Sequence, residues 1–113
     1  MSIQDSPYLK HILDAINDIE ESIGNKTKEE FIKDKDTKDA TVRRLEIIGE
    51  ATKNISSALK RKYPNVEWKK IGGARDVMIH AYFSVDLNIV WSIAKNDIPK
   101  LKKQVQDILE NEE

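Results

Sequence analysis

The fold is indicated most clearly by residues 9–23, which read LKHILDAINDIEESI. Apolar side chains recur in this stretch at alternating steps of three and four residues, at positions 9, 12, 16, 19 and 23. That spacing is typical of an amphipathic α-helix, because residues three and four apart lie on the same side of a helix. Pro7 suits the first turn of such a helix, and the Gly24-Asn25 pair suits its end.

Similar apolar stripes continue through the rest of the chain. They predict a long second helix from about Thr37 to Tyr63, a helix over about Ala74 to Phe83, and a last helix capped by Asp97. Asp86 is placed to cap one more helix before the last. We expect Gly72-Gly73 to interrupt the helical pattern and the last four residues to fray.

The organisation of the chain is that of one helical domain. No segment shows strand-like alternation, an internal repeat or a linker composition, and 113 residues are the size of one ordinary domain. The short connections favour antiparallel neighbours. The sequence therefore predicts an all-α fold, an up-and-down antiparallel helical bundle that occupies residues 1–113 as a single domain.

The composition narrows the classes of function. The chain has 19 Lys and Arg residues against 20 Asp and Glu residues, so its net charge is only −1. It therefore has no strong general field for nucleic acid or an anionic membrane, and any RNA contact must come from a local patch. Because there is no cysteine, disulfides, thiolate metal sites and a cysteine nucleophile are excluded.

Nothing in the sequence suggests export, a membrane span or a bound cofactor. The N-terminus lacks the basic and apolar regions of a signal peptide, and no apolar run approaches the roughly 18 residues of a membrane span. We expect a cytoplasmic protein with no membrane partner. The absence of a Walker loop, a His-Glu-x-x-His motif and an acidic calcium loop predicts no metal site and no cofactor. His11 lies between polar-facing positions and is predicted to be a surface residue.

The one credible catalytic cluster is Arg75, Asp76, His80 and Tyr82. In a helix of about 3.6 residues per turn, Asp76 and His80 lie on one face, one turn apart. A carboxylate there can hydrogen-bond one imidazole nitrogen, fix its tautomer and stabilise its charged form. Arg75 shares a stripe with Tyr82 and lies about 140° around the axis from His80. Long side chains, a glycine break before Arg75 or a second copy of the chain must close that gap.

The same residues also have a purely structural interpretation. Asp76 could cap the helix that follows the glycines, and His80 could lie between helices with both ring nitrogens satisfied. Tyr82 could be a core aromatic with its hydroxyl at the edge of the core. The residues alone leave the catalytic and the structural interpretations open.

The order arginine, polar residue, three residues, histidine, one residue, tyrosine from Arg75 to Tyr82 resembles the signature of HEPN-domain ribonucleases. The tyrosine is similar to that of the HepT branch, toxins of the HepT–MntA toxin–antitoxin type. The resemblance covers about Tyr8 to Leu109. Its other landmarks are Tyr8-Leu9 with His11-Ile12-Leu13, Ile47-Ile48-Gly49-Glu50-Ala51, Val66-Glu67-Trp68 with Ile71, Val85-Asp86 and Val90-Trp91. The branch often has asparagine after the arginine, and Asp76 departs from that while keeping a polar residue there.

This resemblance implies a helical bundle, a homodimer, and metal-independent RNA endonuclease activity in a cleft at the dimer interface. It also implies a cognate partner, a minimal nucleotidyltransferase antitoxin that adds AMP units to the motif tyrosine, here Tyr82. In such a site His80 suits proton transfer, and Arg75 suits the phosphate because a guanidinium presents fixed donors and stays charged. Candidate contacts to the RNA backbone are Lys69, Lys70, Arg43 and Arg44.

Two other functions stay open on the sequence. The chain could be a non-catalytic partner or substrate-binding subunit of a minimal nucleotidyltransferase, which the near-neutral charge and an aromatic content of 6% favour. It could also be a structural helical dimer, in which Arg75 and His80 matter only for stability. RNA cleavage by the isolated chain separates the catalytic function from both.

Overall fold

The apolar stripe of the first helix lies at the centre of the hydrophobic core. Helix α1 (Asp5–Ile23) buries the whole stripe, and Ile12, Ile16 and Ile19 are completely excluded from solvent. Burying one such side chain contributes about 1.5–3 kcal/mol relative to leaving it in water. Gly24 ends the helix as predicted, with a φ of 51° that residues carrying a Cβ rarely adopt.

The described part of the chain is helical almost throughout. The computed structural model describes residues 4–80 and 86–113, together with the side chains of these residues other than 75–80. The elements after α1 are α2 (Lys28–Lys33), α3 (Lys35–Lys53), α4 (Ser57–Lys62), α5 (Trp68–His80), α6 (Leu87–Ser92), a π-helical turn (Ile93–Asp97) and α7 (Ile98–Glu112). The described residues form no strand, which confirms the all-α prediction. None of these helices is long and apolar enough to cross a membrane.

Helices α1 and α3 pack against each other in opposite directions. At one end of the pair, Asp5 at the start of α1 accepts hydrogen bonds from Ser56, just beyond the end of α3. Near the end of α1, the Ser22 hydroxyl accepts a hydrogen bond at 2.6 Å from Arg44, in the middle of α3. These contacts confirm the antiparallel arrangement that the short connections predicted.

Helix α7 also runs antiparallel to α1 and holds the C-terminus in place. Lys102 in the first half of α7 pairs with Glu20 at 2.6 Å. At the opposite end, Glu113 accepts a hydrogen bond from the Ser6 hydroxyl at 2.6 Å. The expected fraying of the last four residues is therefore wrong. The chain stays helical to Glu112 because contacts with α1 and α4 bind the carboxylates at its end.

The predicted long second helix is two helices. Helix α3 ends at Lys53, and Ser56 then caps α4 by accepting the Leu59 N–H at 3.2 Å. The Ser56 N–H donates to the buried Asp5 carboxylate at 2.8 Å instead of continuing the ladder of α3. The apolar spacing runs on through Ile55, which is buried. Because the apolar spacing does not change at this point, it did not predict that the chain leaves the helix between Lys53 and Ser57.

Gly72 and Gly73 do not interrupt the helical pattern, so that prediction is wrong as well. Helix α5 runs through both of them without a break, and neither has a positive φ. Gly72 is buried, and a Cβ added there would lie 3.2 Å from the Cγ of Lys53. The missing side chain lets α5 approach α3 closely. Gly73 is exposed, with nothing within 4 Å of an added Cβ.

Of the two aspartates that were predicted to cap helices, Asp86 does so and Asp97 does not. Asp86 caps α6 by accepting the Asn88 N–H at 2.8 Å, and this hydrogen bond lowers the pKa of the Asp86 carboxyl below its usual range. The side chain of Asp97 makes no capping hydrogen bond. The π-helical turn joins α6 to α7 with continuously helical backbone, so no separate helix start exists for Asp97 to cap.

Candidate functional site

The predicted catalytic cluster lies on α5 and immediately after it. The backbone of residues 75–80 is helical without a break, so Asp76 and His80 are one turn apart in one helix, as predicted. The side chains of Arg75, Asp76 and His80 lie outside the described structure, and Tyr82 lies outside the described residues altogether. Because the glycines leave the helix intact, the backbone keeps Arg75 about 140° around the axis from His80. A glycine break therefore does not close the gap between them.

Helix α5 packs against α3. Gly72 lies against the stem of Lys53 at the end of α3. Ile71 and Ala74 of α5 share a cavity with Leu45 and Ile48 of α3. The packing against α3 therefore holds the part of α5 that immediately precedes positions 75–80.

A small apolar cavity of about 90 Å³ lies between α3, α5 and α7. Its apolar lining residues are Leu45, Ile48, Ile71, Ala74, Ile93, Ile98 and Leu101. The charged residues that line it, including Lys70 and Lys100, are exposed at its rim. Glu67 at the same rim pairs with both lysines, at 3.7 and 4.0 Å. Among the described residues, the interior of this cavity therefore offers packing surface and no charged group.

The two lysines predicted to contact RNA stand at the start of α5. Lys69 and Lys70 are both exposed. Lys70 pairs with Glu67, but an ion pair between two exposed side chains contributes little and is easily exchanged. Both ammonium groups lie on α5, the helix that carries the motif, and both are accessible to a polyanion.

The two arginines predicted to contact RNA have different surroundings. Arg43 is exposed on α3 and pairs with Glu46 at 3.3 Å. Arg44 donates to the Ser22 hydroxyl at 2.6 Å and to the Asp18 carbonyl at 3.4 Å, both on α1. Arg44 thus fastens α3 to α1, whereas Arg43 presents its guanidinium to solvent.

A groove between α1 and α3 was not singled out by sequence reasoning. It has a volume of about 210 Å³ and is lined from α1 by Tyr8 and His11. Their rings meet edge to face with centroids 6.4 Å apart. His11 is exposed, as predicted. The only signal in the sequence was the spacing of three residues between two flat side chains, which places them side by side on a helix.

The described residues do not form a metal centre. No three His, Asp or Glu side chains among them come close enough to hold a metal ion. This finding does not cover the side chains of Asp76 and His80, which lie outside the described structure.

The family model described as ribonuclease HepT-like matches residues 12–108 of this chain. The match begins in α1, ends in α7 and includes the whole of α5. It thus contains all of the predicted catalytic and RNA-binding positions.

Related proteins match nearly the whole chain. One named "Probable ribonuclease HepT", from Thermococcus cleftensis, is 45% identical over 101 residues, which cover 89% of this chain and 92% of that protein. Another named "Putative RNase", from Caldanaerobacter subterraneus subsp. tengcongensis, is 44% identical over 106 residues, or 94% of this chain and 95% of that protein.

A third relative is a longer protein. It is named "Gamma-glutamylcyclotransferase and putative RNase", comes from Methanocaldococcus jannaschii, and is 46% identical over 103 residues, or 91% of this chain. This chain spans only 46% of that relative's length. No solved structure matches the chain.

Proposed function

The chain belongs to the HepT-like ribonuclease family, and we propose that it is an RNA endonuclease. Two relatives that align with it almost from end to end are themselves named as ribonucleases. The structural observation that carries the proposal is the unbroken helix α5, because it sets Asp76 and His80 one turn apart. That spacing suits a carboxylate that orients an imidazole.

The reaction we propose is an internal transfer at phosphorus. The 2′-hydroxyl oxygen of one nucleotide attacks the adjacent phosphorus, and a general base takes the hydroxyl proton. The bond between phosphorus and the 5′-oxygen breaks, and a general acid gives that oxygen a proton. The products are a 2′,3′-cyclic phosphate and a 5′-hydroxyl, so the step balances without a co-reactant.

Three residues of α5 have roles in this proposal. His80 transfers a proton as acid or base, since imidazole works in both directions near neutral pH. Arg75 binds the phosphate oxygens, whose negative charge is concentrated in the transition state. Asp76 accepts a hydrogen bond from the imidazole and so fixes its tautomer. No metal ion has a role in this mechanism.

The active form we propose is a homodimer. One chain carries one motif histidine, whereas the reaction uses both a base and an acid, and a two-fold axis supplies a second His80. The angle of about 140° between Arg75 and His80 supports the same conclusion, because groups from two copies can meet at one phosphate. Exposed Lys69, Lys70 and Arg43 are the stronger candidates for contacts to the RNA backbone; Arg44 is the weaker one, since α1 engages it.

We further propose that the chain is the toxin of a toxin–antitoxin pair, whose antitoxin is a minimal nucleotidyltransferase. The Tyr82 hydroxyl oxygen attacks the α-phosphorus of ATP, its proton passes to a base of the partner, and pyrophosphate leaves. The position of Tyr82 two residues after His80 supports this assignment. Each AMP adds bulk and negative charge beside the proposed phosphate site, so the modified protein repels RNA.

Cleavage of RNA by the isolated chain tests the proposed activity. Single-stranded RNA is incubated with the purified protein in excess EDTA, with a His80→Ala preparation as the control for contaminating nucleases. We expect products that end in a 2′,3′-cyclic phosphate and a 5′-hydroxyl, and a solution mass near twice 13.0 kDa. A folded dimer that cuts no RNA would instead favour a non-catalytic subunit of the nucleotidyltransferase.

A further inference from the structure

Helix α5 has a buried side and an exposed side along residues 68–74. Four positions of this stretch are buried or half-buried, and they are Trp68, Ile71, Gly72 and Ala74. Lys69 and Gly73 are exposed. Because these two residues are four positions apart, they lie one turn apart on the same side of the helix. The exposed face of α5 is therefore the side that carries Lys69 and Gly73.

The same face continues into the motif. Each residue of an α-helix is rotated by about 100° from the one before it and rises about 1.5 Å along the axis. Positions 76 and 80 follow Lys69 by seven and eleven residues in an unbroken helix, so each lies about 20° from it around the axis. The backbone positions of Asp76 and His80 thus lie on the side of α5 that is exposed at Lys69 and Gly73.

Gly73 leaves this face without a side chain between Lys69 and the motif. It lies about 6 Å along the axis from Lys69 and about 4.5 Å from Asp76. A Cβ added at Gly73 would have no described atom within 4 Å, and the residue has no positive φ. Neither packing among the described residues nor the backbone conformation requires a glycine here, although alanine is more favourable in a helix. Such a glycine suits the close approach of a ligand to the helix backbone.

The charge around the start of α5 suits a polyanion. Residues 57–70 contain five Lys and Arg side chains and one carboxylate, that of Glu67, so their net charge is +4. Because the whole chain carries −1, the other 99 residues carry −5. The first turn of α5 holds no acidic residue, although the start of a helix favours carboxylates. Positive charge is therefore concentrated where the exposed face of α5 begins.

We propose that the RNA substrate lies along this exposed face of α5, with its sugar–phosphate backbone against Gly73 and one phosphate on Lys69. The proposal rests on the ribonuclease function proposed above and adds to it the path of the RNA. Lys69 lies about 16.5 Å along the helix axis from His80. The RNA must therefore extend beyond the phosphate that is cut in order to reach Lys69. A contact of this kind sets the position of the RNA without reading its sequence.

A second copy of the chain is the rival occupant of this face. A two-fold interface brings the same patch of both copies together. Centred on Gly73, it would place two segments 57–70 near each other, each with a net charge of +4. Like charges repel, whereas the phosphates of RNA complement this charge. The charge of the segment therefore favours RNA.

Bulk added at Gly73 tests the path of the RNA. Gly73→Ala and Gly73→Leu introduce good helix formers at an exposed position, so both variants should keep the fold and the oligomeric state of the parent. Single-turnover cleavage of single-stranded RNA in EDTA should slow by roughly 10²-fold in Gly73→Leu, because a displacement of about 1 Å can have that effect. The loss in Gly73→Ala should be smaller. Ala58→Leu, at an exposed position of α4, should cut like the parent.

The salt dependence of binding tests the phosphate contact at Lys69. Affinity for the same RNA is measured in EDTA at several NaCl concentrations with the His80→Ala protein, so that cleavage does not deplete the RNA. Each phosphate contact on a single strand contributes about −0.7 to the slope of log affinity against log salt, so adding Lys69→Gln should make the slope shallower by about 0.7. Adding Lys33→Gln, at an exposed position of α2, should leave the slope unchanged.

Three results would overturn the proposal. Parental cleavage by Gly73→Leu, or an unchanged salt slope in Lys69→Gln, would exclude this path and leave the ribonuclease function standing. Loss of the parental dimer in Gly73→Leu, measured as solution mass, would assign the face to a second copy of the chain. Absence of RNA cleavage by the parent would refute the ribonuclease function and this proposal with it.

Discussion

Asp5 accepts two hydrogen bonds from Ser56, one from the backbone N–H at 2.8 Å and one from the hydroxyl at 2.6 Å. The two residues are 51 positions apart, and Asp5 is only 1% exposed. The contact ties the start of α1 to the point where the chain leaves α3 and turns into α4. This contact explains why the chain forms two helices, α3 and α4, although the apolar pattern continues from one to the other without interruption.

Asp5→Ala should lower the free energy of unfolding by about 2–3 kcal/mol. A hydrogen bond to a charged group contributes about 1.5–3 kcal/mol, and the variant leaves the partly buried donors of Ser56 without their acceptor. Urea unfolding followed by circular dichroism measures the change. Asp14→Ala, at an exposed position of the same helix, should stay within about 0.5 kcal/mol of the parent. Equal midpoints for the two variants would contradict the prediction.

The stability of the protein should depend on the ionisation of Glu112. The hydrogen bond from Lys62, followed by that from Tyr63, lowers the pKa of this carboxyl from an ordinary 4.5 to about 2. The folded protein therefore binds this proton less readily than the unfolded chain does. The stabilising contribution is full above about pH 4.5 and is lost as the pH falls towards about 2.

Thermal unfolding between pH 4.5 and pH 2 checks this dependence. The melting temperature of the parent should fall more steeply than that of Glu112→Gln, which has no carboxyl to protonate. Glu110→Gln, at an exposed position of the same helix, should follow the parent. The prediction fails if the parent and Glu112→Gln lose stability with the same slope.

Gly73→Ala should stabilise the protein by about 0.5–1 kcal/mol. The position is exposed in the middle of α5, has no positive φ and leaves open space for a Cβ. Alanine is favoured over glycine by that amount in a helix interior. Gly72→Ala is the matched control, because its Cβ would lie 3.2 Å from the Lys53 Cγ and so offset the gain. Denaturant midpoints of both variants test the difference, and a lower midpoint for Gly73→Ala would refute it.

His80→Ala and Arg75→Ala should each reduce RNA cleavage by about 10²–10⁴-fold, because each removes a group assigned to the transition state. Single-turnover cleavage in EDTA gives the rates, and circular dichroism verifies that the helical fold is kept. Lys103→Ala removes an exposed cation of α7 with no assigned role and should cut at the parental rate. Full activity in His80→Ala would remove the histidine from the mechanism.

Tyr82→Phe should take up no AMP from ATP and the cognate nucleotidyltransferase, because it lacks the phenolic oxygen that attacks phosphorus. Intact-protein mass spectrometry measures the uptake, and an RNA-cleavage assay should show that the partner no longer silences the variant. The chain has three tyrosines, so Tyr8→Phe and Tyr63→Phe serve as matched controls that keep accepting AMP. AMP on any residue other than Tyr82 would refute the assignment.

Much of the fold was predictable because amphipathic spacing is a local property. The steps of three and four residues from Leu9 to Ile23 identify a helix and its buried face without reference to any other segment. Gly24 ended that helix for an equally local reason, its tolerance of positive φ. No other segment shows the alternation of apolar and polar residues that is typical of a strand, and this was enough to predict an all-α domain.

The candidate site was predictable only in part. The spacing of four residues between Asp76 and His80 predicted that they lie one turn apart, and the helical backbone confirms it. The roles of Arg75, His80 and Tyr82 stay predictions. The groove beside Tyr8 and His11 was missed because a concavity between two helices depends on how α1 and α3 approach each other.

The pattern of residues was sufficient for the helices, their apolar faces and the four-residue spacing of the motif, since each follows from the geometry of one helix. The break at Ser56 and the bound C-terminal tail depend instead on Asp5 and Ser6, which lie far away in the sequence. Helix α5 continues through Gly72 without a break, and at this position it packs closely against Lys53 of α3. A hydrogen bond or a close approach between distant residues exists only after the helices have packed, so these features could be read only from the assembled fold.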